Sequence, residues 1–182
     1  MVKIVIQRTK KSYEYKFFPA RPSDFGNNAK NNSLDWLILY CDDSEITRLR
    51  CQSVQNYDWG TNASRGKLPY GDTIAPGSFQ LRLWANPRKY RGEVHEIINT
   101  KTLNGWKIDS NAMQKVNGIE SGRWLIHSKY SITAKSETTF AWSAGCIVVR
   151  SGDLELLGTA LRALNLTAGT IIPGEITEVE ND

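Results

Sequence analysis

Short runs in which apolar and polar residues alternate dominate the first three quarters of the chain and predict β-strands. The clearest run lies at residues 78–84, where Phe79, Leu81 and Leu83 share one face and the residues between them occupy the other. Residues 34–41 are nearly all apolar, which is typical of a central strand. Further strands are predicted at residues 2–7, 13–18, 46–54, 94–99, 124–127, 145–150 and 170–172, with surface loops at residues 20–33 and 57–70.

A change from a period of two to spacings of three and four predicts one helix after residue 150. Ser151 can cap its start, and Asp153 lies in its first turn, where a carboxylate interacts favourably with the helix dipole. Gly169 follows the end of the helix and permits a turn into a closing strand. The apolar positions of the helix are Leu154, Leu157, Leu161 and Leu164. The whole pattern predicts a mostly β domain, a sandwich or a barrel, with one packed α-helix near the C-terminus.

Length and composition favour one globular domain and exclude several classes of protein. A chain of 182 residues and 20.5 kDa has the size of a single domain, residues 1–182. Hydrophobic residues make up 40% and charged residues 23% of the chain, which argues against general disorder. No apolar run approaches the roughly 18–20 residues that a spanning helix needs, so we expect no membrane span.

The charge of the chain is mildly basic and selects no partner. Lys and Arg number 23 against 19 Asp and Glu, which gives a net charge of +4. The basic residues are spread along the chain and no base-stacking motif occurs, so we expect no nucleic-acid partner. The apolar stretch at residues 1–6 is too short for a signal peptide. The protein therefore either stays inside the cell or reaches the periplasm or cell wall by another route or through an upstream segment.

The scarcity of histidine narrows the search for catalytic groups, since the chain contains two. His95 alternates with apolar neighbours, which favours a structural role on a strand face. His127 ends an apolar run and is followed by Ser128, and the end of a strand is where a scaffold presents catalytic groups. His127 is therefore the candidate general base.

A cysteine after a glycine is the candidate nucleophile. Gly145 permits a positive φ that would turn its own amide and that of Cys146 towards one point, as an oxyanion hole requires. A thiol becomes a thiolate near neutral pH when an imidazole or a cation lies beside it, so Cys146 and His127 form a candidate pair. The alternative is that Cys146 is a packed core residue at the start of an apolar strand.

The chain has three cysteines, so at least one thiol is free in a monomer. Cys41 and Cys51 lie in no comparable motif, and we interpret both as core thiols. Their spacing with His95 fits no metal-site pattern, so we expect neither a metal nor a cofactor.

These residues resemble the active-site motif of the L,D-transpeptidases of bacterial cell walls, the YkuD-type catalytic domain. In that motif a histidine is followed, after an interval, by Ser/Thr-His-Gly-Cys, a hydrophobic residue, and Asn or Arg. Here 15 residues separate His127 from Ser143, and Gly145 and Cys146 follow in register. Residues 72–79 resemble the turn-and-strand segment of the family, and the resemblance covers about residues 71–157.

The chain departs from the family motif at two positions. Ala144 stands where the family has its second histidine, which lines the oxyanion site, and Val148 stands in place of Asn or Arg. The nearest arginine is Arg150, which shares a strand face with Cys146 if the strand is regular. The resemblance therefore implies a divergent member of the family.

The resemblance implies cysteine-dependent acyl transfer on a peptidoglycan stem peptide. Cys146 would attack a peptide carbonyl with His127 as base and then acid, while the amides of Gly145 and Cys146 stabilise the oxyanion. The carbonyl of Ser128 would fix the tautomer of the imidazole. The candidate substrate-binding residues are Ser143, Trp142, Trp124 and Arg150. Arg150 would bind a substrate carboxylate, or alternatively be a solvated arginine between strand and helix.

Two other functions remain open for the same sequence. A cysteine peptidase or carboxypeptidase would form the same acyl-enzyme and use water as the acceptor. A non-catalytic cell-wall or phage-associated binding module would retain the fold without turnover, which Ala144 favours and the spacing of His127 and Cys146 opposes.

Overall fold

The computed structural model describes residues 1–14, 35–54, 73–85, 93–105, 107–109, 114–116, 119–121, 124–128 and 145–180. Within these ranges the chain is mostly β, with one α-helix near the C-terminus. The strands are β1 (Val2–Thr9), β2 (Asp35–Cys41), β3 (Ser44–Gln52), β4 (Gly77–Arg82), β5 (His95–Ile98), β6 (Thr100–Lys101), β7 (Lys107–Ile108), β8 (Gln114–Val116), β9 (Ile119–Ser121), β10 (Leu125–His127), β11 (Ile147–Val149) and β12 (Ile171–Val179). The helix is α1 (Ser151–Ala163), and Lys10–Glu14 form a short 3-10 helix.

Eight of the described strands close into a barrel. Their order around it is β1, β12, β4, β5, β10, β11, β3, β2, and the β2–β1 pair closes the circle. The pairs β1–β12 and β10–β11 are parallel, and the other neighbouring pairs of the barrel are antiparallel. The described strands outside the barrel form two small ribbons, β6–β7 and β8–β9. The predicted choice between sandwich and barrel is therefore settled in favour of a barrel.

Alternate residues of the barrel strands point inward and form one apolar cluster. Phe79, Leu81 and Leu83 belong to it, as their period of two predicted, while Gln80 is exposed and Arg82 half-buried. The other inward residues include Ile4, Ile6, Leu37, Leu39, Leu49, Cys51, Ile97, Ile126, Ile147, Val149, Ile172 and Ile176.

The helix and a polar network lie at opposite ends of the barrel. Leu154, Leu157 and Leu161 join the inward-facing cluster, so α1 covers the end at which β11 finishes. At the other end Arg8 is fully buried, and its Nε donates to Oγ of Ser53 at 2.8 Å. The same Ser53 hydroxyl donates to Oδ2 of Asp35 at 2.6 Å, which links the two buried charges.

Three sequence expectations about elements are wrong in detail. The strand expected at residues 13–18 begins within the 3-10 helix instead, where Ser12 donates to the buried carboxylate of Asp35 and turns the chain; residues 15–18 lie outside the described part. Ser151 is the first helical residue and Arg150 takes the cap position. The closing strand runs over Ile171–Val179, well beyond residue 172.

The closing strand is longer than expected because its Pro and Gly fit the sheet. Pro173 pairs with Gln80 of β4 and lies before the stretch that pairs with β1, so it needs no N–H on that side. A Cβ on Gly174 would lie 2.3 Å from the ring of Phe79, so glycine is required for the strand to pass the ring. The loops expected at residues 20–33 and 57–70 lie outside the described residues.

Among the described residues, no helix has the length and apolar character needed to cross a bilayer.

Candidate functional site

The register of two parallel strands places His127 and Cys146 on the same face of the sheet. His127 pairs with Val148, and Cys146 lies two residues before Val148, so both point the same way. Ile147 between them points into the barrel cluster, which makes this the outer face. The two residues are one strand apart and two residues apart along the strand direction, which puts their Cα atoms about 8 Å from each other. This is within reach of an imidazole and a thiol that lean towards each other.

Both groups are buried although they lie outside the barrel interior. The exposed fraction is 4% for His127 and 9% for Cys146. Cys146 packs with Val94 and Leu125 in an apolar cluster of its own, separate from the main one. The thiol therefore has apolar neighbours on the β5 side.

A backbone carbonyl holds the imidazole of His127. Its Nδ1 lies 2.8 Å from the carbonyl oxygen of Ser128, which is the contact that the family resemblance implies. Since a carbonyl can only accept, Nδ1 carries the proton in the neutral ring and Nε2 carries the lone pair. A general base needs that lone pair, so the ring is oriented with Nε2 as the basic nitrogen.

The turn before the thiol requires glycine. The φ angle of Gly145 is +126°, in a region that residues other than glycine rarely adopt. The positive φ that the sequence analysis allowed at this residue is therefore confirmed. The preceding candidates Trp142 and Ser143, and the substituted position Ala144, lie outside the described residues.

The structure places one of the expected substrate-binding residues in the apolar core and another at the start of the helix. Trp124 is 4% exposed and packs in the main apolar cluster, so its position is that of a core residue rather than a cleft wall. Arg150 is half-buried at the start of α1, about 13 Å along the chain from Cys146. Its charge acts on Asp153, whose pKa is raised by burial and lowered in part by Arg150.

Two buried polar residues on the same outer face were not predicted. Gln52 of β3 pairs with Val148, and Glu96 of β5 pairs with Leu125. They are 3% and 0% exposed. Glu96 could have been noticed in the sequence, because it is an acidic residue inside the short, largely apolar strand predicted at residues 94–99. No comparable signal marks Gln52, since its importance depends on which strand lies beside it.

The other histidine has the contacts of a structural residue. His95 is fully buried and points into the barrel, and its Nδ1 accepts from the backbone N–H of Trp84 at 3.2 Å. Burial, aided by the charge of Arg162, lowers the pKa of His95 to about 4. It is therefore neutral throughout the physiological range.

The remaining cysteines differ from each other. Cys51 is fully buried in the main cluster, and burial raises the pKa of its thiol well above the ordinary value. Cys41 is half-buried at the end of β2, so its interpretation as a core thiol is wrong: the strand has left the barrel interior there. Within the described ranges, no group of three or more His, Cys, Asp or Glu side chains could hold a metal ion.

Comparison with known proteins gives a family but no activity. An uncharacterized protein of Treponema pallidum (strain Nichols) is 33% identical over 181 residues, which cover 98% of this chain and 81% of the relative. The chain belongs to the same family as this Treponema protein. No protein-family model matches the chain. No solved structure matches it either.

Proposed function

We propose that this protein is a cysteine-dependent acyl transferase of the L,D-transpeptidase type, with a divergent YkuD-type barrel, that acts on peptidoglycan stem peptides. The observation that supports this most is the shared face of His127 and Cys146 on neighbouring parallel strands. The contact of Nδ1 of His127 with the carbonyl of Ser128 supports it further, because it leaves Nε2 as the base.

The proposed reaction begins with transfer of the thiol proton of Cys146 to Nε2 of His127. The Sγ atom then attacks the carbonyl carbon of the donor peptide bond, and the amides of Gly145 and Cys146 stabilise the oxyanion. When this intermediate collapses, the C–N bond breaks, and the leaving amine takes the proton from His127. A thioester on Cys146 results.

The second half of the reaction releases the acyl group. The amine of another stem peptide attacks the thioester carbonyl and loses a proton to His127. A new C–N bond forms as the C–S bond breaks, and Cys146 is regenerated. Water as the acceptor gives a carboxylate instead, which is the reaction of the hydrolase alternative.

A non-catalytic wall-binding module is the second candidate, and burial favours it. The exposed fractions of 9% for Cys146 and 4% for His127 are low for groups that must meet a polymer. Ala144 in place of the motif's second histidine favours the same candidate.

Intact-mass spectrometry of the protein mixed with disaccharide-tetrapeptide tests the proposal. We expect an acyl adduct that maps to Cys146 and is absent from Cys146→Ala, with adduct formation by His127→Ala slower by about 100-fold or more. A cross-linked dimer of peptides as product indicates a transferase, and a shortened peptide indicates a hydrolase. Peptide binding without any adduct would instead support the non-catalytic module.

A further inference from the structure

Val94 closes the outer face of the sheet beside the candidate pair. The strand β5 pairs with β10 as far as His95, so Val94, one step further, lies at the level of His127. Val94 is 2% exposed and packs with Leu125 and Cys146 in one apolar cluster. It therefore borders both members of the pair, and its position contributes to their low exposure.

The backbone at Val94 is held by few sheet contacts. In the described structure the pairs of β5 begin at His95 on the β10 side and at Glu96 on the β4 side, so Glu93 and Val94 precede the paired part of the strand. Residues outside a ladder open locally at a lower free-energy cost than paired strands do. The position of Val94 thus depends on the side chains of its two neighbours.

Both neighbours of Val94 are tied to the last turn of α1 through Arg162. Oε1 of Glu93 forms an ion pair with Nη2 of Arg162 at 2.5 Å, and the same guanidinium lies 4.9 Å from the ring centre of Trp84. The backbone N–H of Trp84 donates to Nδ1 of His95 at 3.2 Å. Side chains alternate along the chain here, so α1 holds residues 93–95 from the side opposite to Val94.

Two features raise the free energy of this closed arrangement. Oε2 of Glu93 and the indole N–H of Trp84 are buried without a hydrogen bond in the described structure, which is costly for polar groups. Trp84 also has a φ of +47°, which is a strained conformation for a residue with a bulky side chain. Local opening would hydrate both polar groups. The ion pair is therefore the contact whose loss shifts residues 93–95 towards an open state.

We propose that Glu93 and Arg162 form a latch that holds residues 93–95 closed against His127 and Cys146, and that Cys146 reacts from the minor state in which the latch is open. This inference rests on the proposed function, because it takes Cys146 as the reacting thiol and describes how access to it is controlled. The observed rate is then the rate of the open state multiplied by its population. The latch accounts for a reactive thiol that is only 9% exposed in the closed state.

The test compares alkylation of the three thiols by iodoacetamide in the wild-type protein and in Glu93→Gln. The substitution keeps the size of the side chain and removes its charge. Because Glu93 is 14% exposed, its ion pair is worth more than a surface pair, and we expect Cys146 to be labelled about fivefold to tenfold faster. Cys51 is fully buried in the barrel, so its labelling reports opening of the whole barrel and should stay unchanged relative to Cys41.

Two substitutions of the arginine separate the latch from a general loss of packing. Arg162→Met keeps the apolar stem and removes the charge, so it should match Glu93→Gln. Arg162→Lys keeps the charge without the planar fork, so it should restore most of the slow labelling of the wild-type protein. The control is Glu45→Gln, which breaks an ion pair with Arg48 at the far end of β3 and should label as the wild type does.

Unchanged labelling of Cys146 in Glu93→Gln and Arg162→Met overturns the latch. A rise at Cys51 in the same proportion also overturns it, because the whole barrel has then been loosened. The wild-type protein provides a test without substitution: low urea concentrations should speed the labelling of Cys51 steeply and that of Cys146 only slightly, since a local opening exposes little surface. Equal urea dependence overturns the latch even where the variants do not fold.

Failure of the latch and failure of the proposed function have different signatures. If disaccharide-tetrapeptide forms the adduct on Cys146 at the same rate in the wild-type protein and in Glu93→Gln, the latch is wrong and the acyl transferase stands. If Glu93→Gln speeds the alkylation of Cys146 but neither protein forms the adduct, the latch stands and the acyl transferase is wrong.

Discussion

His95 and His127 are held in opposite tautomers by their contacts with the backbone. Nδ1 of His95 accepts from the N–H of Trp84, whereas Nδ1 of His127 lies against the carbonyl oxygen of Ser128. An N–H only donates and a carbonyl only accepts, so the neutral rings carry their protons on Nε2 and Nδ1 respectively. The barrel therefore separates an imidazole on its inside, protonated at Nε2, from one on its outside whose Nε2 carries the lone pair.

Long-range nitrogen–proton NMR spectra should show one histidine of each tautomer when the pH is well above the pKa of a free imidazole. The chain has no other histidine to confuse the assignment. The His127→Asn variant identifies the signals, because only the Nε2-protonated ring of His95 remains. Two Nε2-protonated rings in the wild-type protein would contradict the proposed role of His127.

The burial of His95 should make the protein less stable in mild acid. Its pKa is about 4 in the folded state against 6.5 ordinarily, so the unfolded chain binds more protons between these values. Stability is therefore lost as pH falls from 6.5 towards 4, by about 3 kcal/mol from this group over the whole window.

Urea unfolding at a series of pH values measures that loss. The carboxylates contribute at the acid end, so the effect of His95 is the difference between the wild-type protein and His95→Gln. The variant should show a shallower fall over the same window. Parallel curves would mean that His95 is not buried in its neutral form.

The three thiols should differ in their rates of alkylation by iodoacetamide. Cys51 should react slowest, since it is fully buried and its pKa is raised by burial. Cys41 is half-buried and serves as the reference. We expect Cys146 to react faster than Cys41 despite its greater burial, because an adjacent imidazole produces thiolate near neutral pH.

Peptide mapping by mass spectrometry gives the three rates in one experiment. His127→Ala should slow the labelling of Cys146 and leave that of Cys41 unchanged. Fastest labelling at Cys41 in the wild-type protein would support a packed, unreactive Cys146.

Two glycines of α1 should respond oppositely to alanine. An added Cβ at Gly158 would lie 1.5 Å from Oε2 of Glu93, whose carboxylate also pairs with Arg162. At Gly152 no atom lies within 4 Å of the added Cβ in the described structure. Gly158→Ala should therefore destabilise the protein by about 2 kcal/mol, and Gly152→Ala should stabilise it by about 0.5–1 kcal/mol.

Thermal and urea unfolding of both variants check this pair. In a Glu93→Ala background the steric conflict is removed, so Gly158→Ala should become neutral or stabilising. A destabilising effect that persists in that background would point to a contact other than the one with Glu93.

Ser53 should contribute strongly to stability because it joins two buried charges. Its hydroxyl accepts from Nε of Arg8 and donates to Oδ2 of Asp35. Ser53→Ala therefore leaves the buried Nε of Arg8 without its acceptor and leaves Oδ2 of Asp35 with only the backbone N–H of residue 53 as donor. The expected loss is about 3 kcal/mol. Ser78→Ala, at an exposed position of β4, should change stability by less than about 0.5 kcal/mol. Equal effects in urea unfolding would mean that water replaces the lost hydroxyl.

The sequence predicted those parts of the fold that depend on local pattern. The alternation around Leu81 and the spacing of Leu154, Leu157 and Leu161 reflect which side of an element faces the core, and the structure confirms both. The closure of the barrel was not predictable in this way, because the pairing of β1 with β12 depends on residues far apart in the chain.

In the candidate site, too, residues that belong to a local sequence pattern were predicted, and residues that depend on the order of the strands were not. His127 and Cys146 were chosen as candidates from their spacing in the sequence, and the structure places them on one face of the sheet. Gln52 and Glu96 were missed because their significance arises from strand order, and a single polar residue in a short strand gives no sign of its neighbours. Trp124 appeared to flank the pair in sequence, yet successive strand residues face opposite sides and it points into the core.

The parallel pairing of β1 with β12 sets the order in which this protein can fold during synthesis. The first barrel strand to leave the ribosome finds one of its partners only after residue 171 has been made. Until then one edge of β1 presents unsatisfied backbone groups, which is the surface through which nascent chains aggregate or attract chaperones. Closure of the barrel therefore comes late in synthesis, and residues 171–179 are the segment whose arrival ends that period of exposure.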